Sequence, residues 1–359
     1  MNQSQVKVLI VDDSKAFCRF LERVLSVDPQ IHVLGYALDA FQARDMIKQY
    51  NPDVLTLDVE MPRMDGLTFL TNLMRLRPMP VVMMSSLTAA GADVTLDALE
   101  RGAVDFMVKR HPGGDGELEL YTNEIVKRVK QAAFTKISHS QGNSRQKPLP
   151  DVTDLRRKLR NGQPVNDELS RVVAIGSSTG GPEALRKVLT GLEASRCALL
   201  FAQHMPGRYM APFAERLNSW SSFDIRIAQD NEKILPGRGY VAPGDQHLKI
   251  YRSADHLLCR VEQSAEQSGH RPSVDVLFES VAKHVGSAGV GLLLTGMGED
   301  GACGLKQMRS AGAMTVVQDE KSSAVWGMPG RAYEIGGADG SINLTQISAS
   351  LSTLLRDAA

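Results

Sequence analysis

Cysteine is scarce. The 359 residues hold four, Cys18, Cys197, Cys259 and Cys303, far apart and with no C-x-x-C pair. That spacing excludes a disulfide framework and a thiolate zinc site, and it fits a reducing compartment. No apolar run approaches the ~20 residues that cross a bilayer, so no membrane insertion is expected. A strand-like run, Val6–Val11, starts almost at the N-terminus and leaves no room for a signal peptide. The expected location is cytoplasmic. Net charge is absent as well, with 41 Lys/Arg against 41 Asp/Glu. Residues 1–135 carry 15 basic and 18 acidic side chains, 136–171 carry 8 and 4, and 172–359 carry 18 and 19. Neither end of the chain is basic, which argues against a nucleic-acid partner. There is no internal repeat of the solenoid kind.

What is present is an ordinary globular composition, 43% hydrophobic and 23% charged, with length for two domains. In the first part, apolar runs at Val6–Val11, Ile31–Leu34, Val54–Leu57, Val81–Met84 and Phe106–Val108 alternate with helical-period segments. Those segments are Phe17–Leu25, Phe41–Gln49, Gly66–Leu76, Val94–Arg101 and Leu118–Ala133. Five strands alternating with five helices predict a doubly wound parallel α/β sheet with its site at the carboxyl ends of the strands. Asp12 and Asp13 follow the first run, Asp58 the third, Ser85 the fourth and Lys109 the fifth. Three carboxylates converging there repel one another, so a hard cation such as Mg²⁺ is their natural neutraliser. A carboxylate can also accept a phosphoryl group, with metal and lysine stabilising the charge in transfer.

Val8-Leu9-Ile10-Val11-Asp12-Asp13-Ser14, the stretch Leu57-Asp58 to Asp65-Gly66, and Val108-Lys109 together resemble the receiver domain of two-component response regulators. The resemblance covers residues 1–134 and implies a flavodoxin-like (βα)5 fold. It implies that a histidine kinase phosphorylates Asp58, that Asp12 and Asp13 with Asp58 hold Mg²⁺, and that Lys109 contacts the phosphoryl group. Ser85 and Phe106 would occupy the switch positions. One departure is Arg110-His111-Pro112 after the lysine, where receivers usually have proline directly.

Residues 135–171 read as an interdomain linker. Lys136–Pro150 is rich in Ser, Gln, Asn, Gly and Pro, and Asp154–Arg160 suggests a short basic helix.

Beyond it, Val172–Ile175 runs into Gly176-Ser177-Ser178-Thr179-Gly180-Gly181, and Pro182 opens a helix. Such a turn either cradles a phosphate or presents a nucleophilic serine. Further strand-like runs lie at Ala198–Gln203, Phe223–Ala228, Val290–Thr295 and Ala313–Val317, with a hairpin over His247–Val261. Helical segments are Pro182–Leu189, Tyr209–Asn218, Val274–Val285 and Ala302–Ala311, which makes this part mostly parallel α/β. His204 follows the second run and Asp300 the fourth. A serine hydroxyl needs an adjacent base, an imidazole supplies one, and a carboxylate fixes that imidazole's tautomer. His247, His256, His270 and His284 show no metal-ligand spacing.

Ala174–Gly181, Gln203-His204-Met205-Pro206, Leu294–Ala302 and Gly327-Met328-Pro329-Gly330 resemble the chemotaxis protein-glutamate methylesterases over 172–354. An N-terminal receiver is part of that family's architecture. The resemblance implies Ser178 as nucleophile, His204 as base and Asp300 as orienting acid. It also implies the Met297 N–H as oxyanion donor, supported by Thr179. It implies hydrolysis of glutamate methyl esters on methyl-accepting chemotaxis receptors, with release of methanol, and deamidation of glutamines. A chemotaxis histidine kinase would be the phosphodonor, and ester hydrolysis would need no cofactor. Arg331 follows Gly330 where the family commonly has Arg-Glu-Ala after Met-Pro. Two other readings stand beside this one. The first is a receiver-controlled hydrolase of another protein ester; the second is a nucleotide-binding signalling module, which lacks both G-x-G-x-x-G spacing and a P-loop lysine.

Overall fold

Apolar runs alternating with amphipathic segments fold as alternating strands and helices along both parts of the chain. The computed structural model describes residues 5–85, 89–110, 113–135, 155, 158, 162–193 and 196–356. The expected connector over 136–150, and most of the basic helix expected at Asp154–Arg160, lie outside these residues, as do His111 and Pro112. The chain divides into two compact units, Met1–Ile137 and Ser138–Ala359.

The first unit contains β1 (Val6–Val11), α1 (Lys15–Leu25), β2 (Ile31–Ala37), α2 (Ala40–Tyr50), β3 (Val54–Asp58), α3 (Gly66–Leu76), β4 (Val81–Ser85), α4 (Ala89–Glu100), β5 (Asp105–Val108) and α5 (Asp115–Ala133). Its five strands pair in the order β2-β1-β3-β4-β5, every pair parallel. The residues of β3, β4 and β5 are all buried, as in a parallel sheet covered on both faces. Ser14, Asp39 and Asp65 cap α1, α2 and α3 by accepting from backbone N–H groups of the first turn. Gly66 is obligatory at its position. A Cβ there would sit 2.0 Å from the carbonyl oxygen of Asp58, so only glycine lets α3 start against the end of β3.

The second unit contains β6 (Arg171–Ser177), α6 (Gly181–Thr190), β7 (Cys197–Gln203), α7 (Met210–Trp220), β8 (Asp224–Ile227), β9 (Arg238–Val241), β10 (His247–Ser253), β11 (His256–Glu262), α8 (Val274–His284), β12 (Gly289–Leu293), α9 (Ala302–Ser310), β13 (Met314–Gln318), α10 (Met328–Glu334), β14 (Gly340–Ile342) and α11 (Leu344–Arg356). Seven strands form one parallel sheet in the order β14-β13-β12-β6-β7-β9-β8. β10 and β11 form the expected antiparallel hairpin, as a separate two-stranded sheet. The sequence pattern does not mark β9, β14, α10 or α11. β6 lies centrally, between β12 and β7, so strands are added first on one side of it and then on the other, and its carboxyl end is the switch point of the sheet. Val165 and Leu169, inside the stretch that reads as linker, are buried in this unit's core. They are too isolated to carry a period.

Phe201 of β7 is fully buried, with its ring against Gly239. Phe201→Ala is expected to cost about 3–5 kcal/mol. Urea unfolding followed by Trp220 and Trp326 fluorescence, both in this unit, measures it.

Candidate active site and phosphoacceptor pocket

In the first unit the strand ends bring the acids together. Asp12, Asp13 and Asp58 offer carboxylate oxygens within 4.8 Å of one another. Lys109 Nζ lies 2.7 Å from Asp12 Oδ2 and 2.8 Å from Asp58 Oδ1. Burial, reinforced by the Asp12 charge, raises the Asp58 carboxyl to about 6 in spite of Lys109. Burial raises Asp12 too. For Lys109, burial pulls its pKa down, but the paired Asp12 and Asp58 carboxylates outweigh it and keep the ammonium charged. One ammonium among three carboxyls leaves the pocket short of positive charge. Asp12 Oδ2 is buried and meets that ammonium as an ion pair, with no well-aimed hydrogen bond. An all-oxygen, charge-deficient donor set of this kind fits a hard divalent cation.

The Phe17 ring lies under Lys109, 4.9 Å from Nζ to the centroid, a contact that the motif does not reveal. Ser85 is buried at the end of β4, where its hydroxyl accepts from Thr95 Oγ1 at 2.9 Å. Phe106 is buried in β5.

In the second unit the same logic places three groups on one sheet edge. Ser178 follows β6, His204 follows β7, and the loop after β12 delivers Met297 and Asp300. Gln203 knits the first two together. Its Nε2 donates to the carbonyls of both Ser178 (3.0 Å) and His204 (3.1 Å), while its Oε1 accepts from Ser177 Oγ at 2.6 Å. Thr295 ties in the third, donating through Oγ1 to the Thr179 carbonyl at 3.0 Å. Gly296 must be glycine. A Cβ there would stand 2.8 Å from Ser178 Cβ and 2.3 Å from Met328 Sδ, so a side chain would push this loop off the serine.

Asp300 is buried and fully engaged. It accepts from His204 Nε2 (2.7 Å), Ser273 Oγ (2.8 Å), the Val274 N–H (2.7 Å) and the Asp275 N–H (3.1 Å). Burial alone would raise its pKa, but His204, the Val274 N–H and the Ser273 hydroxyl hold it below the usual carboxylate range. Asp300 is therefore ionised and can only accept, so His204 Nε2 carries a proton. In the neutral ring Nδ1 is then the nitrogen with the free lone pair. That Nδ1 is buried and has no hydrogen-bond partner. Among the described residues the Ser178 hydroxyl makes no hydrogen bond to it, as is common in catalytic pairs without substrate. The Ser178 N–H donates to the Thr295 carbonyl at 3.0 Å, whereas no partner is recorded for the Met297 N–H among the described residues.

Several members of this site carry no motif. They include Ser273, which caps α8 while donating to Asp300, and His247, whose Nδ1 accepts the Ser273 N–H at 3.1 Å. Asp275 is another. It is buried beside Asp300, and its Oδ1 accepts the Gly304 N–H at 2.6 Å. Of these, Ser273 alone has a local sequence signal, a serine placed ahead of an apolar helical run as an N-cap. Arg331 pairs with exposed Glu299 at the rim, 3.4 Å apart.

The fold and the placement of these groups define a class: a receiver-type aspartate pocket on one α/β unit, joined to a parallel α/β unit with a hydrolase-like Ser, His and Asp set at its strand ends. Residues 173–351 match the family model for CheB methylesterase, and residues 8–117 match the one for the response regulator receiver domain. The chain is 49% identical over 354 residues to protein-glutamate methylesterase/protein-glutamine glutaminase 1 of Xanthomonas campestris pv. campestris, covering 98% of both chains. It is 43% identical to the protein-glutamate methylesterase/protein-glutamine glutaminase of Hydrogenovibrio crunogenus, covering 98% of this chain and 100% of that one. The crystal structure of the Thermotoga maritima CheB methylesterase catalytic domain aligns with a TM-score of 0.50 at 32% identity, over 51% of this chain and 98% of that one. The chain belongs to the CheB methylesterase family, with an N-terminal receiver domain.

Burial, with the Asp300 charge adding to it, raises the Asp275 carboxyl from 3.8 to about 7. A raised acid stabilises the fold fully below the unfolded value, and that contribution is lost as pH rises through the folded one. Asn mimics the protonated acid, accepting from Gly304 and still able to donate. Asp275→Asn is therefore expected to gain stability relative to the parent as pH rises from 5 to 8. Unfolding free energies at several pH values check this, and a pH-independent difference would contradict it.

Proposed function

We propose that the chain is a phosphorylation-activated protein-glutamate methylesterase and glutaminase acting on chemoreceptors, with Ser178, His204 and Asp300 as its catalytic residues. Residues 1–134 form the receiver and 172–354 the catalytic domain, with 135–171 between them as a linker whose last part, Val165, Leu169 and Arg171, packs with the second unit. The observation that carries the assignment is the ionised Asp300 on His204 Nε2, which leaves a buried, unpartnered Nδ1 lone pair on the sheet edge that Ser178 shares.

Ser178 Oγ attacks the ester carbonyl as His204 Nδ1 takes its proton. Asp300 stabilises the imidazolium that forms. The Met297 N–H, supported by Thr179, receives the oxyanion, and one such donor contributes about 3 kcal/mol to the transition state. His204 then gives its proton to the departing methoxide, and methanol leaves. Water attacks the acyl-serine with His204 again as base, which restores glutamate and the serine hydroxyl. A glutamine amide follows the same course, with ammonia as leaving group.

Asp58 accepts a phosphoryl group from a chemotaxis histidine kinase in the cytoplasm. Asp12, Asp13 and Asp58 would hold Mg²⁺, which neutralises charge during that transfer. Lys109, already between Asp12 and Asp58, is placed to follow the phosphoryl oxygens, with Ser85 and Phe106 as the switch residues. The relatives, named as methylesterases and glutaminases over nearly the full chain, favour this reading over another ester or a bound nucleotide.

Ser178→Ala is expected to abolish methanol release from methylated receptors while binding of receptor persists. Residual release at the parent rate would remove Ser178 from the mechanism. Asp58→Asn is expected to keep basal release and lose its stimulation by a small-molecule phosphodonor, measured in the same assay.

A further inference from the structure

His270 stacks on His204. The two imidazole centroids are 3.7 Å apart with the planes inclined by only 10°. Nothing in the expected triad calls for a second histidine, and the segment that carries it is firmly built. Gln267 and His270 exchange two backbone hydrogen bonds, 3.1 and 3.0 Å, around a tight turn. Its central residues, Ser268 and Gly269, have φ of 55° and 76°, the left-handed pair of a type I′ turn. Beyond His270, the Arg271 guanidinium donates to the Ser264 carbonyl at 2.7 Å. Ser273 is then fixed twice, by its N–H to His247 Nδ1 and by its hydroxyl to Asp300. The strap therefore grips both partners of the ion pair, Asp300 through Ser273 and the His204 ring through His270.

We infer that His270 is a positioning residue for the general base, its ring fixing the plane of the His204 imidazole so that Nδ1 stays dry and aimed toward Ser178. A single hydrogen bond at Nε2 fixes one point of the imidazole and leaves it free to tilt about that point. A parallel ring at van der Waals distance removes the tilt and keeps water from that face. Both effects act on the proton-transfer step: a base whose lone pair is solvated must shed that water first, and a tilted one misses the serine. Small displacements of this kind cost up to about a hundredfold in rate. His270 itself exchanges no proton in this scheme. Its contribution is the flat aromatic face, which a phenylalanine also has.

This inference rests on His204 being the base, and the test separates the two. Methanol release by the full-length chain is compared for the parent, His270→Ala, His270→Leu and His270→Phe, with Ser178→Ala as control for the underlying reading. His270→Ala and His270→Leu are expected to lower kcat by about ten- to a hundredfold with KM nearly unchanged, and His270→Phe to recover most of it. In ¹⁵N spectra of labelled histidines, His204 should keep the Nε2–H tautomer that Asp300 sets in every variant, while its Nδ1 resonance should shift as a solvated nitrogen in the Ala variant and stay at the parent position in the Phe variant. A kcat for His270→Ala equal to the parent's would overturn the inference. So would a Phe variant as slow as the Leu variant while both melt at the parent's temperature. Activity retained in Ser178→Ala would overturn the catalytic reading whatever the His270 variants do.

Discussion

The Asp300 carboxylate is only 2% exposed, yet it stays charged. A buried charge is tolerable only when its lone pairs are met, and here two backbone N–H groups, a hydroxyl and an imidazole meet them. Three of those donors come from consecutive residues, Ser273, Val274 and Asp275, at the start of α8. The helix N-terminus thus provides both hydrogen bonds and a favourable dipole. The rest of the site follows. An ionised Asp300 sets the His204 tautomer, the tautomer leaves Nδ1 with the free lone pair, and the neighbouring Asp275 carboxyl is pushed toward its protonated form.

The first unit solves a related problem with the opposite outcome. Asp12 and Asp58 are also buried at strand ends, but their charge is met chiefly by one lysine, with few neutral donors such as the Ser14 N–H on Asp12. Asp58 is consequently raised where Asp300 is lowered. A carboxylate held with surplus negative charge around it is poised to take a cation and a phosphoryl group. One that is saturated with donors is poised only to orient its neighbour. Both sites grow from the same architecture, an apolar parallel strand that ends in polar residues, and differ in what surrounds the acid.

Much of this was legible in the sequence. The apolar runs of β1, β3, β4, β6, β7 and β12 are continuous because both faces are covered, and the chemistry-bearing residues follow them directly. Where the pattern failed, the cause was physical. β9 and β14 are short, contain glycine, and are strands only because β7 and β13 offer them edges. α11 does space Leu344, Ile347, Leu351 and Leu354 helically, but serines and threonines dilute the signal. Leu169 and Val165 are isolated apolar residues whose burial depends on the sheet they cover. Gln203, Asp275, Ser273 and His270 act through contacts between segments distant in sequence, which no local spacing can report. His270 is the clearest case: its neighbours along the chain describe a turn, and its role exists only when that turn reaches β7.

The central place of β6 has a consequence for how the enzyme is made. Val172 at its start pairs on one side with Ala198 and on the other with Gly289. The serine strand therefore remains an open edge, bonded on one side only, until β12 has left the ribosome. Asp300 follows β12, so a nascent chain holds Ser178 and His204 for a long stretch of synthesis before Asp300 exists. Long-range parallel pairing of this kind is slow to close. The sheet edge that gathers Ser178, His204 and Asp300 is therefore completed late, only after β12 has docked.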